Sequence, residues 1–206
     1  MRKHQFRFGR LLFAALATGL IASAFFEARA QEIRSIDKLV KRIDGVIRTK
    51  RKPDSVFADI PKGSAPRWRK FSSAKALETY RLRNEVYSIF YNYHDRGRIA
   101  LAVLTVSSQS GDWVNYVNYY FRADGTIAKI ASEYRTFVGD YVALRNIYFD
   151  RKGKVLKRTV RYLTLRGRVS TKPTADELRD NGPMMRITIY ASVRKLPFAK
   201  LIRPRK

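Results

Sequence analysis

From about residue 84 to residue 166, apolar and polar side chains alternate along the chain. Tyr87, Ile89, Tyr91 and Tyr93 share one parity, which Ile99, Leu101 and Val103 and then Trp113, Val117, Tyr119 and Phe121 continue. The opposite parity carries Ser88, Asn92, Asn118 and Arg122 among apolar residues. A period of two places alternate residues on opposite faces of a pleated strand, and the Tyr, Val, Ile, Phe and Thr in these segments suit such a surface. The alternation is punctuated at one interval. Gly97, Gly111, Gly125, Gly139, Gly153 and Gly167 follow one another at a spacing of 14 residues. Asp95-Arg96-Gly97-Arg98, Ala123-Asp124-Gly125-Thr126 and Arg151-Lys152-Gly153-Lys154 read as tight hairpin turns, in which glycine supplies a positive φ. Ser110-Gly111-Asp112, Gly139-Asp140 and Arg166-Gly167-Arg168 turn the chain at the other strand ends. Phe121, Gly125, Ile127, Lys129 and Tyr134 recur 28 residues later as Phe149, Gly153, Val155, Lys157 and Tyr162. One hairpin is therefore two 14-residue units, a repeat that signals a repeated structural element.

The pattern predicts a mainly β (α+β) fold: an up-and-down antiparallel meander of six strands over residues 84–166, with Met184–Val193 as a seventh. The sheet is expected to be curved or to form a partly closed barrel. Ahead of it, Ile33, Ile36, Val40, Ile43 and Ile47 recur at three and four residues. That spacing makes an N-terminal amphipathic helix whose apolar stripe covers one face of the sheet. Lys50–Pro66 reads as a basic connector, and Ser73 caps a short helix to about Leu82. Thr174 and Glu177 form a capping box for another, which Asn181-Gly182-Pro183 ends. Alternating strands also suit a membrane barrel, but Lys129, Glu133 and Arg135 share one parity, and charge on a lipid-facing surface is costly.

The first 30 residues read as an export signal. Arg2, Lys3, Arg7 and Arg10 precede an uncharged, largely apolar run from Leu11 to Phe26, and Ala28-Arg29-Ala30 supplies the small-x-small site. Cleavage is expected between Ala30 and Gln31, giving a periplasmic or secreted protein with no stable transmembrane span. Residues 31–206 then form one exported domain: a helical and linker part (31–83), the antiparallel sheet (84–194) and a basic tail (195–206). The chain has 43 Lys and Arg against 17 Asp and Glu, and removal of residues 1–30 leaves a net charge of +22. There is no cysteine, so neither a disulfide nor a lipidated N-terminal cysteine is available.

Candidate chemistry is sparse. Beyond the signal His94 is the single histidine, so a His/Cys zinc site is excluded and no metal or other cofactor is expected. His94 itself is expected to be an exposed turn residue. Asp95, Asp112, Asp124, Asp140 and Asp150 adjoin the turn glycines, where aspartate favours the turn by bonding nearby backbone. No phosphate loop, calcium loop or nucleophile elbow is present. The remaining signal is positive charge. From Arg151 to Lys172 there is no acidic residue, and Arg151, Lys152, Lys154, Lys157, Arg158, Arg161, Arg166 and Arg168 form the candidate anion-binding set, with Lys172 beyond it. Alternation is expected to put Lys157 and Arg161 on one face and Lys154 and Arg158 on the other. Arg67-Trp68-Arg69-Lys70 adds a second basic cluster. All 12 tyrosines fall between Tyr80 and Tyr190, so charge and aromatic stacking could act together on one sheet face.

These features point to an exported, non-enzymatic binding or envelope-associated protein. Its partner would be an anionic envelope component (lipid headgroup, lipopolysaccharide or acidic glycan) or another envelope protein, with nucleic acid disfavoured by location. An envelope hydrolase using turn carboxylates and a structural docking module are the alternatives. The sheet interior discriminates among them. An apolar cavity favours a carrier, a convergent carboxylate pair an enzyme, and a filled core a docking module.

Overall fold

The computed structural model describes residues 6–202 apart from Ser64 and Arg168, with side chains from Glu27 onward. Arg2, Lys3, Arg168 and the last four residues of the basic tail lie outside the described residues. A single helix, α1 (Phe6–Lys50), leads into β1 (Ser55–Asp59), β2 (Trp68–Phe71), α2 (Ala74–Arg81) and the meander. The meander comprises β3 (Ser88–Asp95), β4 (Arg98–Ser107), β5 (Trp113–Phe121), β6 (Ile127–Thr136), β7 (Tyr141–Phe149) and β8 (Val155–Thr164). After it come α3 (Ala175–Asn181) and an irregular C-terminal segment with short 3-10 turns at Val193–Lys195 and Ala199–Leu201. The eight strands form one antiparallel sheet in the order β2-β1-β3-β4-β5-β6-β7-β8. The sheet is open, with β2 and β8 as its edges.

Two parts of the pattern resolve differently from expectation. The connector contains β1 and leads into β2, so the sheet has eight strands rather than six or seven. The five residues of β1 are half-buried or buried, and Ser55 to Ala58 pair with β3. So short a segment, behind Lys50-Arg51-Lys52-Pro53, carries too little alternation to stand out from its basic flank. Met184–Val193 is not a strand. Its ladder contact is the isolated bridge from Ser192 to Thr126, in which the Ile127 N–H donates to the Ala191 carbonyl and the Val193 N–H to the Gly125 carbonyl. It crosses over one sheet face instead of joining an edge, and Met184, Met185, Ile187, Tyr190 and Val193 pack against the core while Ile189 is exposed.

Each face of the sheet has its own cover. On the first face lies α1, whose Ile36 and Ile43 are buried and whose Ile33, Leu39, Val40 and Ile47 are partly so. A corner of the same face, with Val56, Ala58, Phe71 and Ile89, is closed by Leu77 of α2. The opposite face carries the largest cluster: Phe57, Phe90, Val117, Tyr119, Phe121, Ile130 and Phe149 lie under Leu196 and Phe198 of the C-terminal segment. Phe198 stacks on Phe57 with ring centroids 4.1 Å apart and meets Phe90 at 4.9 Å.

The 28-residue repeat has a structural counterpart. Register shifts between Tyr93 and His94, Tyr120 and Phe121, and Tyr148 and Phe149 each leave one extra residue on the next strand: Ala100, Ala128 and Leu156. These bulge residues pack toward α1. The preceding tyrosines form a row beneath the helix. Tyr148 donates to Asp37 at 2.9 Å and Tyr120 to Asp44 at 3.0 Å, while Lys50 donates to the His94 carbonyl at 2.7 Å. Asp37 and Asp44 are seven residues apart, which is about 10.5 Å of helix. Tyr148 and Tyr120 are two strands apart, about 9.6 Å. The match lets α1 cross the strands with one helical contact on every second strand.

Candidate functional site

The described members of the basic set gather at one edge of the sheet. Arg151, Lys152 and Lys154 occupy the β7–β8 turn, Lys157, Arg158 and Arg161 lie on β8, and Arg166 is in the turn after it. All seven are exposed. The bulge alters the expected alternation. Lys154 is in the turn, outside the strand. Val155 packs into the C-terminal cluster, whereas Leu156 packs toward α1. Lys157 pairs with Tyr148, Arg158 with Ile147 and Arg161 with Leu144, so Lys157 and Arg161 do share the α1 face and Arg158 takes the other.

Lys157 through Arg161 are five consecutive exposed residues, with three cations among them. No described carboxylate lies within ion-pair distance of any of the seven, in contrast to Arg42, Lys50 and Lys129 on the α1 face, which pair with Asp95, Asp54 and Asp37. Two thirds of β8 is an open edge. The chain returns only at its end, where Ser170 bridges Leu163 and Thr171 donates to the Tyr162 carbonyl. Lysine and arginine on an open strand also block edge-to-edge pairing with other sheets.

The opposite edge offers a second basic surface. A shallow open groove of about 540 Å³ between β2 and α2 is lined by Arg69, Lys70, Phe71, Tyr80 and Arg83, among others. The Arg69 guanidinium sits 5.1 Å from the Phe71 ring centre and 5.4 Å from that of Tyr80, and is thereby held by the groove wall. The run Arg67–Lys70 pointed to this surface in sequence. Its partner Arg83 lay beyond reach of any local pattern, because α2 brings it there.

Among the described residues no row of exposed tyrosines lies beside the β8 cations, and Tyr80 accompanies cations only in the groove at the opposite edge. Tyr119, Tyr134 and Tyr141 are fully buried and Tyr120 and Tyr148 nearly so, whereas Tyr116 is exposed. Burial pushes the Tyr119 and Tyr120 hydroxyls well above their ordinary range, in Tyr120 with help from Asp44. These five buried tyrosines serve the core.

Four of the turn aspartates are engaged, three of them by residues of their own turn. Asp150 accepts from the Lys152 and Lys154 N–H groups at 2.8 Å, and Asp124 from the Thr126 N–H and hydroxyl at 2.9 and 2.6 Å. The Thr126 side-chain and backbone bonds hold Asp124 below the usual carboxylate range. Asp95 pairs with Arg42 at 2.6 Å, and Asp112 accepts from Ser110. Among the described residues no group of three or more His, Asp or Glu could hold a metal ion. His94 is half-buried at the end of β3 rather than exposed. Its N–H donates to Asp54 at 2.6 Å, so its backbone belongs to the clip that joins α1 to the sheet.

No protein-family model matches the chain, and neither a curated protein nor a solved structure similar to it was found.

Proposed function

We propose that the protein is an exported, non-enzymatic docking module of the cell envelope. In this reading the β8 edge and the preceding turn attach it to a phosphate-bearing envelope surface, either anionic lipid headgroups or lipopolysaccharide. One observation carries the proposal: a row of exposed cations on an open edge strand that no described carboxylate neutralises. A charge row of this kind attracts a multiply anionic surface at about 1 kcal/mol for each cation that comes near it.

Two further observations favour docking over the alternatives. The face on which a carrier would hold an apolar ligand is filled by the chain's own Leu196 and Phe198. The carboxylates of Asp95, Asp112, Asp124 and Asp150 are bound to backbone or side-chain donors, which gives a hydrolytic pair among them no support. Export rests on the N-terminal pattern. It is helped by the fact that, among the α1 side chains described from Glu27 onward, those packed into the core begin at Ile33, just past the expected cleavage point. Among the described residues no helix is long and apolar enough to cross a membrane.

Cosedimentation with vesicles of phosphatidylglycerol and phosphatidylethanolamine tests the proposal, with phosphatidylcholine vesicles as the comparison. Binding is expected only to the anionic vesicles and is expected to fall steeply between about 50 and 500 mM salt as exposed charges are screened. Equal binding to both vesicle types, or binding indifferent to salt, would count against it. N-terminal sequencing of the exported protein is expected to begin at Gln31. A protein retaining Met1 in the inner membrane would overturn the export half of the reading.

A further inference from the structure

Two arginines are drawn into the sheet, and they differ in one respect. Arg122 donates to the carbonyls of Ile127 and, at 2.6 Å, of Phe149, with Glu32 3.9 Å away. Its guanidinium is satisfied by the fold. Arg145, on β7, donates from Nε to the Ser132 hydroxyl at 3.1 Å, while its Nη2 has no solvent contact and no partner. No described carboxylate pairs with it. Burial lowers its tendency to stay protonated, and the groups that counter this are Tyr162, Tyr141 and Tyr134. A guanidinium remains charged under all ordinary conditions, so it is costly to bury without an acceptor.

The surroundings of Arg145 are polar and equally incomplete. The pairings place Asn115, Tyr134 and Tyr162 in one row across the C-terminal face, and Ser132 and Arg145 in the next. Tyr134 donates to Asn181 at 2.7 Å and Asn115 to the Met184 carbonyl at 3.1 Å, which ties α3 and the chain after it down over this region. That leaves the Asn115 Oδ1 and the Tyr141 hydroxyl without partners, in side chains that are 2% and 0% exposed. Burial, with Tyr134, Tyr162 and Glu177 nearby, pushes the Tyr141 hydroxyl up to about 12, so it stays a donor. Glu177, the acid of α3 that acts on this hydroxyl, is already committed to the Thr174 capping box. The region opens toward β8: Val160, directly opposite Arg145, is 53% exposed, and Arg158 on the same face is exposed as well.

We propose that Arg145 and Tyr141 form the anchor of a binding site for a small carboxylate ligand, reached over β8 on the C-terminal face and roofed by α3. The planar fork of a guanidinium matches a carboxylate in two parallel hydrogen bonds, and a neutral tyrosine hydroxyl supplies a further donor. The Asn115 Oδ1 accepts from a water or from a donor on the ligand. Lys157 and Arg161 of the docking surface lie on the other face, so their substitution separates the two sites, and Arg158 is the cation of the β8 row that shares this face.

Thermal melts of the full chain in acetate, phosphate and chloride at matched ionic strength test it. The wild type is expected to gain a saturable rise in melting temperature in acetate beyond that in chloride. Arg145→Met is expected to abolish the rise. Tyr141→Phe, which keeps the ring and the fold, is expected to move its midpoint at least about threefold to higher acetate. Lys157→Glu/Arg161→Glu is expected to leave it unchanged while weakening vesicle binding. If Arg145→Met fails to fold, Tyr141→Phe decides alone. The proposal is overturned by a wild type that responds to acetate as to chloride, by an acetate response that Tyr141→Phe leaves intact, or by a response to phosphate without one to acetate.

Discussion

At Gly139 the backbone has φ of +91°, and a Cβ added there would stand 3.1 Å from the ring of Tyr141 and 3.0 Å from the Glu177 carboxylate. At Gly153 φ is +82°, but nothing lies within 4 Å of an added Cβ. Both positions require the left-handed region, so an alanine at either carries a backbone cost on the order of 1 kcal/mol. Only at Gly139 does it also push against a fully buried ring. Gly139→Ala is therefore expected to destabilise by at least about 1 kcal/mol more than Gly153→Ala in denaturant titrations. Equal losses would show that the Tyr141 ring yields freely. A second residue-level expectation concerns acid. Burial alone would raise the Asp54 carboxyl, but bonds from Lys50 and the His94 N–H outweigh it and hold the group below its ordinary value. A depressed carboxylate stabilises the fold above its unfolded pKa and loses that contribution as pH falls through the folded one. The difference in melting temperature between wild type and Asp54→Asn is thus expected to be full at neutral pH and to shrink as pH drops below about 4. A difference that stays constant to pH 2 would mean that the clip does not depend on the carboxylate charge.

Elements were legible in proportion to their length and regularity. The six long strands, the α1 stripe and both capped helices follow from local patterns, because alternation, helical spacing and cap chemistry are written in adjacent residues. Thr174 and Glu177 make the reciprocal capping box, and Ser73 accepts from the Ala76 N–H. What local pattern does not carry is choice of partner. The segment Met184–Val193, in which Arg186 and Thr188 alternate with apolar residues, suits an edge strand as well as a cover. It becomes a cover because Phe198 and Leu196, farther along, have a deep cluster to fill. Truncation there is correspondingly expensive. Phe198→Ala is expected to cost about 3–5 kcal/mol and Ile43→Ala, under α1, about 2–5 kcal/mol. Chemical denaturation measures both. A Phe198→Ala loss below about 1 kcal/mol would show that the C-terminal segment covers the sheet without stabilising it. The candidate sites divide in the same way. The β8 row is contiguous and was visible as an acid-free run. The cluster around Arg145 draws on four strands and α3, so no stretch of sequence announces it.

On the scale of the whole molecule, one face of the sheet is closed by α1 and α2 and the other by the C-terminal segment. The two edges, β2 and β8, carry concentrated positive charge. Net charge alone attracts anionic surfaces, so the decisive question is whether the β8 row acts as a site. Two variants with the same change in charge separate these effects: Lys157→Glu/Arg158→Glu/Arg161→Glu on β8, and Arg67→Glu/Lys70→Glu/Arg83→Glu at the opposite edge, all six residues being exposed. Binding of both to phosphatidylglycerol-containing vesicles at constant salt, with thermal melts to confirm folding, is the most direct test. Loss of two or three cations worth about 1 kcal/mol each predicts at least a tenfold weaker affinity for the β8 variant. The opposite-edge variant should change by much less. Equal weakening of the two, or full binding by the β8 variant, would contradict docking through this edge.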